Sequence, residues 1–398
     1  MNVLVINAGS SSLKYQLLDM ETEQALAKGL CERIGIDGRY KYEANGKKLE
    51  GATPMANHSD AIRFLLGMLQ DKEHGVIKSV KEIDAVGHRC VSGGDKYSGS
   101  VLITPESYKA IEYFTPLAPL HNPANLTGVR ACQEVMPGVP QVAVFDTAFH
   151  AKMPAKAYMY AIPYEYYDKY KIRRYGFHGT SHRYVSALCA KTMGRDLKDL
   201  RIITCHLGNG SSIAAVDHGV SVDTTMGFTP LDGLPMGTRS GSIDPAIVEF
   251  LCDNEHISVN ECLKILNKKS GVLGVSGVSS DFRDIAEAAK GGNERAKLAN
   301  EMFVYAVKKY IGAYAAAMGG VDAVVFTAGV GENDKQFRLD MTSGLEFMGI
   351  KVDPVKNDCR GILREITAEG ATVRTFVIPT NEELVIARDT MEIAKNQK

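Results

Sequence analysis

Two arginines sit where glycines would hold a guanidinium in place. Arg89 lies in GHRCVSGGDKYSG, residues 87–99, just past an apolar run and ahead of Gly93 and Gly94. A planar fork at such a loop suits a carboxylate or a phosphate; a surface ion pair is the plainer alternative. Arg239 lies in LDGLPMGTRSGSIDP, residues 231–245, too rich in glycine and proline for helix or central strand. A positioned cation there suits phosphoryl transfer, in which charge spreads over the migrating oxygens. Asp146 follows the apolar run of QVAVFDTAFH, residues 141–150. It could hold Mg2+ directly or through water, or serve as a turn or N-cap aspartate. In RRYGFHGTSHRYV, residues 173–185, His178 fits a hydrogen-bond donor to a transferring group. His182 is four residues on, but no glutamate follows His178 and Gly179 interrupts, which excludes the helical zinc-protease pattern. Packing or capping is the expected role of His182.

These side chains need strands that stop abruptly. VLVINAGSSSLKYQLLD, residues 3–19, breaks an apolar strand at Gly9, Ser10, Ser11 and Ser12 and then resumes. Such a turn either exposes backbone N–H groups to an anion, with Lys14 adding a point charge, or is an ordinary hairpin. IITCHLGNGSSIAAVD, residues 202–217, echoes it: Asn7 aligns with His206, Gly9 with Gly208 and Ser12 with Ser211, all offset by 199 positions, half the chain. A strand–turn–strand unit repeated at half the length points to two related domains, each bringing a phosphate-facing hairpin to a shared cleft. A third turn, VVFTAGVGEND (324–334), has Gly329 and Gly331 to admit a flat or phosphorylated ligand close to the backbone. Neither a G-x-x-x-x-G-K-[ST] loop nor a complete G-x-G-x-x-G is present, so any nucleotide would be held by several separate turns.

Apolar strand-length runs alternate with amphipathic stretches, which makes the chain α/β. Strands are expected at 3–6, 83–86, 141–145 and 321–327, and helices at 61–69 and 293–318. A last helix should begin at Thr380, with Thr380 and Glu383 as a capping box. The 398 residues suffice for two domains, and 45% hydrophobic with 23% charged residues is typical of soluble proteins. A net charge of −1 argues against a nucleic-acid surface. No run reaches membrane-spanning length and no secretion signal is visible. Eight scattered cysteines without a C-x-x-C pair suit reduced cytoplasmic thiols. Cys205 reads as a small buried strand residue.

NAGSSSLK (7–14), FDTAFH (145–150), YGFHGTSH (175–182), HLGNGSS (206–212), MGTRSG (236–241) and TAGVGEN (327–333) together resemble the acetate kinase (acetokinase) family, within the superfamily of acetate and sugar kinases, heat-shock chaperones and actin. The matches run in order along essentially the whole chain. The resemblance implies two duplicated ribonuclease-H-like domains, 1–150 plus 381–398 and 151–380, with a nucleotide cleft between them. It implies the reaction ATP + acetate ⇌ ADP + acetyl phosphate with Mg2+, or Mn2+ in its place, in a cytoplasmic homodimer paired through the second domain. Asn7 and Glu382 would serve the metal. Ser10, Ser12 and Lys14, with His206, Leu207, Gly208, Asn209 and Gly210, would face the phosphates. Asp281, Phe282 and Arg283, with Gly329, Val330, Gly331, Glu332 and Asn333, would hold the adenosine. Arg89 would bind the acetate carboxylate, and Val91, Leu120, Phe177 and Pro230 its methyl group. His178 and Arg239 would stabilise the migrating phosphoryl group. Asp146 would position Mg2+ or orient Arg89, since an ionised carboxylate nucleophile needs no base. Two stretches depart from the usual pattern of the family it resembles: after Arg89, Cys90, Ser92 and Asp95 stand for a valine, a histidine and a glutamate, and after Arg239, Ser242 stands for an aspartate. A propionate or butyrate kinase is the near alternative, and a non-catalytic ATP-binding switch of the actin or chaperone type the distant one.

Overall fold

The structure, a computed structural model, describes residues 1–115, 118 and 121–396. The chain divides into two compact units, Met1–Ala151 with Asn381–Lys398, and Lys152–Thr380. In the first, the described strands are β1 (Asn2–Ala8), β2 (Ser12–Asp19), β3 (Gln24–Glu32), β4 (Arg39–Ala44), β5 (Lys47–Ala52), β6 (Ile83–Cys90), β7 (Val101–Leu102) and β8 (Gln141–Phe145). They form one sheet in the order β5-β4-β3-β2-β1-β6-β8-β7. The second unit has β9 (Arg201–Leu207), β10 (Ser211–Asp217), β11 (Val220–Thr224), β12 (Ala323–Thr327), β13 (Arg364–Glu365) and β14 (Arg374–Val377), in the order β11-β10-β9-β12-β14-β13.

The internal echo extends to topology. β3-β2-β1-β6-β8 and β11-β10-β9-β12-β14 have the same order: two antiparallel pairings, then two parallel ones. This is the duplicated ribonuclease-H-like arrangement that the resemblance implies.

Each central strand is covered on both faces, which is why 3–6 reads as an unbroken apolar run and 202–205 as one interrupted only by the buried Thr204. In the first unit Leu4 and Ile6 pack with Leu65, Leu69 and Cys132 of the helices His58–Leu69 and Asn122–Val135. The helix Glu382–Lys395 lies on the opposite face so closely that a Cβ at Gly87 would stand 2.3 Å from Thr390 Oγ1 and 2.7 Å from Ile386. In the second unit the helix Glu294–Met318 anchors an aromatic cluster in which Phe282 and Phe303 are 4.6 Å apart and each lies 5.9 Å from Phe337.

The first helix starts at His58 rather than 61 because the Asn57 side chain caps it by accepting from Asp60 N. The expected capping box at 380 does not form. Asn381 is the N-cap, accepting from Leu384 N at 3.1 Å, while Glu383 pairs with Lys14. Thr380 instead bonds Ser181 Oγ at 2.9 Å. Local spacing showed two plausible caps and could not show which side chains had tertiary partners. All eight cysteines are free thiols. Cys205 is buried within β9, and burial pushes its thiol up, so it is no nucleophile. Among the described residues no helix is long and apolar enough to cross a membrane.

His88, inside β6, is wholly buried against Gln141 Oε1 at 2.8 Å, and burial pushes it from 6.5 down to about 4. As pH falls through that window the unfolded chain binds the proton first, so stability is present above pH 6.5 and drains toward pH 4. Moving from near neutrality to pH 5 should cost about 2 kcal/mol from this group. Urea unfolding of His88→Gln, neutral throughout, should show a correspondingly flatter slope; equal slopes would assign the acid sensitivity elsewhere.

Candidate active site

In the first unit the functional side chains gather at the carboxyl ends of β1, β6 and β8 and the start of β2. Asn7 and Lys14 are cross-strand partners beside the β1–β2 turn. Gly9 N donates to Ser12 O at 2.8 Å, and Ser10 and Ser11 are exposed at the tip. The hairpin is held from behind: His58 Nε2 meets Gly9 O at 2.8 Å and Asn125 Nδ2 donates to Ala8 O at 3.1 Å. Asn125 Oδ1 also accepts from Val91 N at 3.1 Å, which ties the hairpin to the loop after β6. Lys14 is ion-paired with Glu383. Glu382 lies in the first turn of the same helix, which packs on β1.

Arg89 Nε donates to Asp146 Oδ1 at 3.0 Å and Nη2 to Oδ2 at 2.7 Å. The Asp146 side chain is 2% exposed and Arg89 24%. Asp146 raises the guanidinium's hold on its proton, and Glu382 and Glu383 add to it. Both carboxylate oxygens are thus committed to one fork, and among the described residues Nη1 has no partner. The arrangement is a cation aimed by a buried anion: the Nε/Nη2 edge is spent on Asp146, and the Nη1 side is left to receive an incoming carboxylate. Ser92, where the family's histidine would stand, is fully buried and accepts from Gly94 N through Oγ.

In the second unit the β9–β10 turn closes with Gly208 N to Gly210 O at 3.2 Å. His178 caps the helix Gly179–Met193 at φ 56°, a left-handed conformation uncommon outside glycine. Its ring stacks on His206 at 4.1 Å between centroids, and its Nδ1 meets Ser212 Oγ at 2.8 Å. Arg239 is braced by Nη1 to Pro230 O at 3.2 Å. Its loop is clamped by Ser240 N to Leu266 O and Thr238 Oγ1 to Asn267 O, both 2.9 Å. A Cβ on Gly210 would lie 3.5 Å from His178 Nε2 and 3.6 Å from Arg239 Nη1. An imidazole nitrogen and a guanidinium therefore converge on one point beside a residue with no side chain. Ser242, in place of the family's aspartate, donates to Asp232 Oδ1 at 2.6 Å.

Beside the turn is a cavity of about 480 Å³ lined by Gly208, Asn209, Ser280–Arg283, Gly329, Val330, Asn333, Asp334 and Arg360. Asp281 is held by Arg283 through Nε and Nη2, which pulls its carboxyl down to about 2. Two of the expected adenosine contacts also have partners within the protein. The Phe282 ring packs into the aromatic core, and Glu332 Oε1 accepts from Ala328 N at 2.7 Å and Thr380 N at 3.1 Å. Val330 and Gly331 are buried, and Leu207 is a core residue of β9. Val91 belongs to the first unit, Phe177 and Pro230 to the second, and Leu120 lies outside the described residues.

A profile of the Acetokinase family matches residues 2–388. The acetate kinase of Caldanaerobacter subterraneus subsp. tengcongensis is 60% identical over 401 aligned positions, covering all of both chains. The crystal structure of Porphyromonas gingivalis acetate kinase superimposes with a TM-score of 0.94 at 52% identity, covering 98% of this chain and 99% of that one. This chain belongs to the acetokinase family. The acetokinase fold itself does not separate acyl acceptors: a propionate kinase from Francisella tularensis subsp. tularensis superimposes with a TM-score of 0.93 at 43% identity, with 98% and 99% coverage.

Sequence reading missed several parts of this site. Arg360 lines the cavity without a carboxylate partner among the described residues. It is brought there by the buried Arg338, which donates to Gly331 O, Asn357 O and Cys359 O, each at 2.9 Å. Nothing in NDCRGIL signals that long-range clamp. His182 neither caps nor merely packs, because both its ring nitrogens bond hydroxyls on β9 and β10. Gly210 has no positive φ, so Gly210→Ala should leave the melting temperature unchanged while its methyl fills the His178–Arg239 meeting point. Steady-state turnover of ATP should fall by about 10²-fold or more, the scale of a lost transition-state donor; wild-type turnover would move the reacting group elsewhere.

Proposed function

We propose that this acetokinase transfers the γ-phosphoryl group of ATP to acetate, reversibly, giving acetyl phosphate and ADP by direct in-line displacement. The observation that carries this reading is the convergence of His178 Nε2 and Arg239 Nη1 beside Gly210. Two donors fixed at one point suit the oxygens of a migrating phosphoryl group, where catalysis is positioning and charge stabilisation. Arg89, aimed by Asp146, takes the acyl carboxylate, and Val91, Leu120, Phe177 and Pro230 its methyl group. The turn Ser10–Ser12 with Lys14, and His206–Gly210, serve the phosphates. The cavity bounded by Asp281–Arg283 and Gly329–Asn333 takes the adenosine, with Arg360 as its unpaired cation.

Asn7 and Glu382 suit Mg2+. Both are oxygen donors on packed elements of one unit. Among the described residues no cluster of three or more His, Cys, Asp or Glu side chains could hold a metal alone. That pattern fits an ion that keeps its waters and shares the nucleotide's phosphates. Bound there, it would supply charge neutralisation of those phosphates. We also assign the protein to the cytoplasm, as a homodimer.

No general base is required, because acetate is already ionised and its leaving form needs no proton. Asp146 is accordingly a positioning residue for Arg89. Asp146→Asn should raise KM for acetate by about tenfold or more, as a charge-assisted fork loses its anion, with the Mg2+ dependence unmoved. A higher Mg2+ requirement at unchanged KM would assign Asp146 to the metal instead. Hydroxylamine trapping of acyl phosphate with ATP and Mg2+ tests the acceptor. kcat/KM should fall from acetate to propionate to butyrate, by about 10- to 200-fold per methylene, since one methylene changes binding by about 1–3 kcal/mol. A maximum at a longer acid would rename the substrate, and ATP binding without trapping would overturn the kinase reading.

A further inference from the structure

Behind His178 runs a chain of hydrogen bonds that reaches no solvent. His178 Nδ1 meets Ser212 Oγ at 2.8 Å, Ser212 Oγ meets His182 Nε2 at 2.8 Å, and His182 Nδ1 meets Thr204 Oγ1 at 2.7 Å. Ser212, His182 and Thr204 are each fully buried. Thr204 sits on β9, Ser212 on β10 and both histidines at the start of the helix Gly179–Met193, so three elements fix the geometry.

We propose that His182 is a positioning residue that sets the tautomer of His178, making it a neutral Nε2–H donor. The direction of the chain follows from its dead end. Among the described residues, the only hydrogen-bond partner of the Thr204 hydroxyl is His182 Nδ1. A buried O–H left unpaired is costly, so Thr204 donates. His182 Nδ1 is then an acceptor, and the neutral ring carries its one proton on Nε2. That N–H donates to Ser212 Oγ, whose single proton must go to His178 Nδ1. The His178 proton is left on Nε2, the nitrogen that stands beside Arg239 Nη1 next to Gly210. Every link has one choice once the first is made. The chain also works against a proton on His178 Nδ1, which would strand the Ser212 hydrogen; in the resting protein this spares Arg239 a second positive charge as neighbour. A neutral imidazole whose far nitrogen accepts from a fixed hydroxyl can give a hydrogen bond to a phosphoryl oxygen without waiting to be protonated.

The inference rests on the proposed phosphoryl-transfer role of His178, but its first test needs no turnover. Long-range 1H–15N correlation spectra of the 15N-histidine-labelled protein report the tautomer of each ring directly, with assignment by single histidine substitutions. His178 and His182 are both expected as Nε2–H. Thr204→Val keeps the side-chain shape and removes the donor, so it should release the bias, giving His178 a mixed or Nδ1–H signature. With whichever acyl acceptor the wild type turns over, kcat of Thr204→Val should fall by about tenfold or more, in the direction expected for a catalytic histidine in the wrong tautomer. KM for ATP and for the acceptor should stay the same. His182→Gln retains an N–H toward Ser212 and should recover most of the kcat lost in His182→Leu. His178 carrying its proton on Nδ1 in the resting wild type would overturn the proposal, as would wild-type kcat in Thr204→Val. A confirmed tautomer with no acyl-phosphate formation would instead count against the proposed reaction.

Discussion

The constraint on which the rest depends is the pairing of each central strand. β1 and β9 are antiparallel to one neighbour and parallel to the other. Here each antiparallel neighbour is the next strand in the chain, so a tight turn stands at the carboxyl end of β1 and of β9. A parallel neighbour brings a second carboxyl end to the same edge, followed by a loop or a helix start. Ligand groups gather at such edges because backbone donors are unspent there. Asn7 lies in the last two residues of β1 and Gly9 follows it, Arg89 is the penultimate residue of β6 and Asp146 follows β8. His206 and Leu207 end β9 and Gly208–Gly210 follow it, Gly329–Asn333 follow β12 and Thr380 lies just beyond β14. The duplicated topology therefore carries a duplicated edge, on which the two halves have placed different chemistry.

That edge is held with strain. His178 at φ 56° and Ala328 at φ 64° are non-glycine residues in the left-handed region, each at the entry to a helix. Such residues cost about 1–3 kcal/mol and persist only where surroundings over-determine them. The His178 ring is pinned by Ser212 and stacked on His206. Ala328 N is bonded by Glu332, which also receives Thr380 N and so joins the ends of β12 and β14. The conformation turns the backbone sharply enough that the helix starts beside the turn of the hairpin instead of continuing past it.

Much of this was legible in the sequence. Central strands announce themselves as apolar runs because both faces are buried, and hairpin turns announce themselves by Gly and Ser. Arg89 and Asp146 were found for the same reason: each stands where an apolar run stops. What stayed hidden depends on contacts across many residues. Arg360 owes its place to Arg338 and Asn357. The Thr204–His182–Ser212 chain joins positions 22 and 30 residues apart whose individual types are unremarkable in strand and helix. The misplaced cap at Thr380 has the same origin. Thr380 and Asn381 are equally good caps locally, and only the hydroxyl of Ser181 decides between them.

The two departures from the family pattern show how such contacts absorb sequence change. At 92 the backbone is locked by Asn122, whose Oδ1 accepts from Ser92 N at 3.2 Å and whose Nδ2 donates to Ser92 O at 3.1 Å. The side chain is fully buried, so a serine that satisfies itself on Gly94 N fits where an imidazole would need both space and another partner. At 242 the neighbour is already an acid: Asp232 accepts from Ser242 Oγ and Gly233 N and lies 3.3 Å from Arg174 Nη1. A second carboxylate there would face the first, whereas a hydroxyl donates to it. Arg174 in turn bonds the carbonyls of Thr224, Thr225 and Met226, and Thr225 Oγ1 accepts from Ile213 N on β10. The exchange at 242 thus feeds a network ending one residue from Ser212. A surface substitution on the arginine loop thus reaches, through Asp232, the Arg174 ion pair and Thr225, the backbone of the strand that carries Ser212.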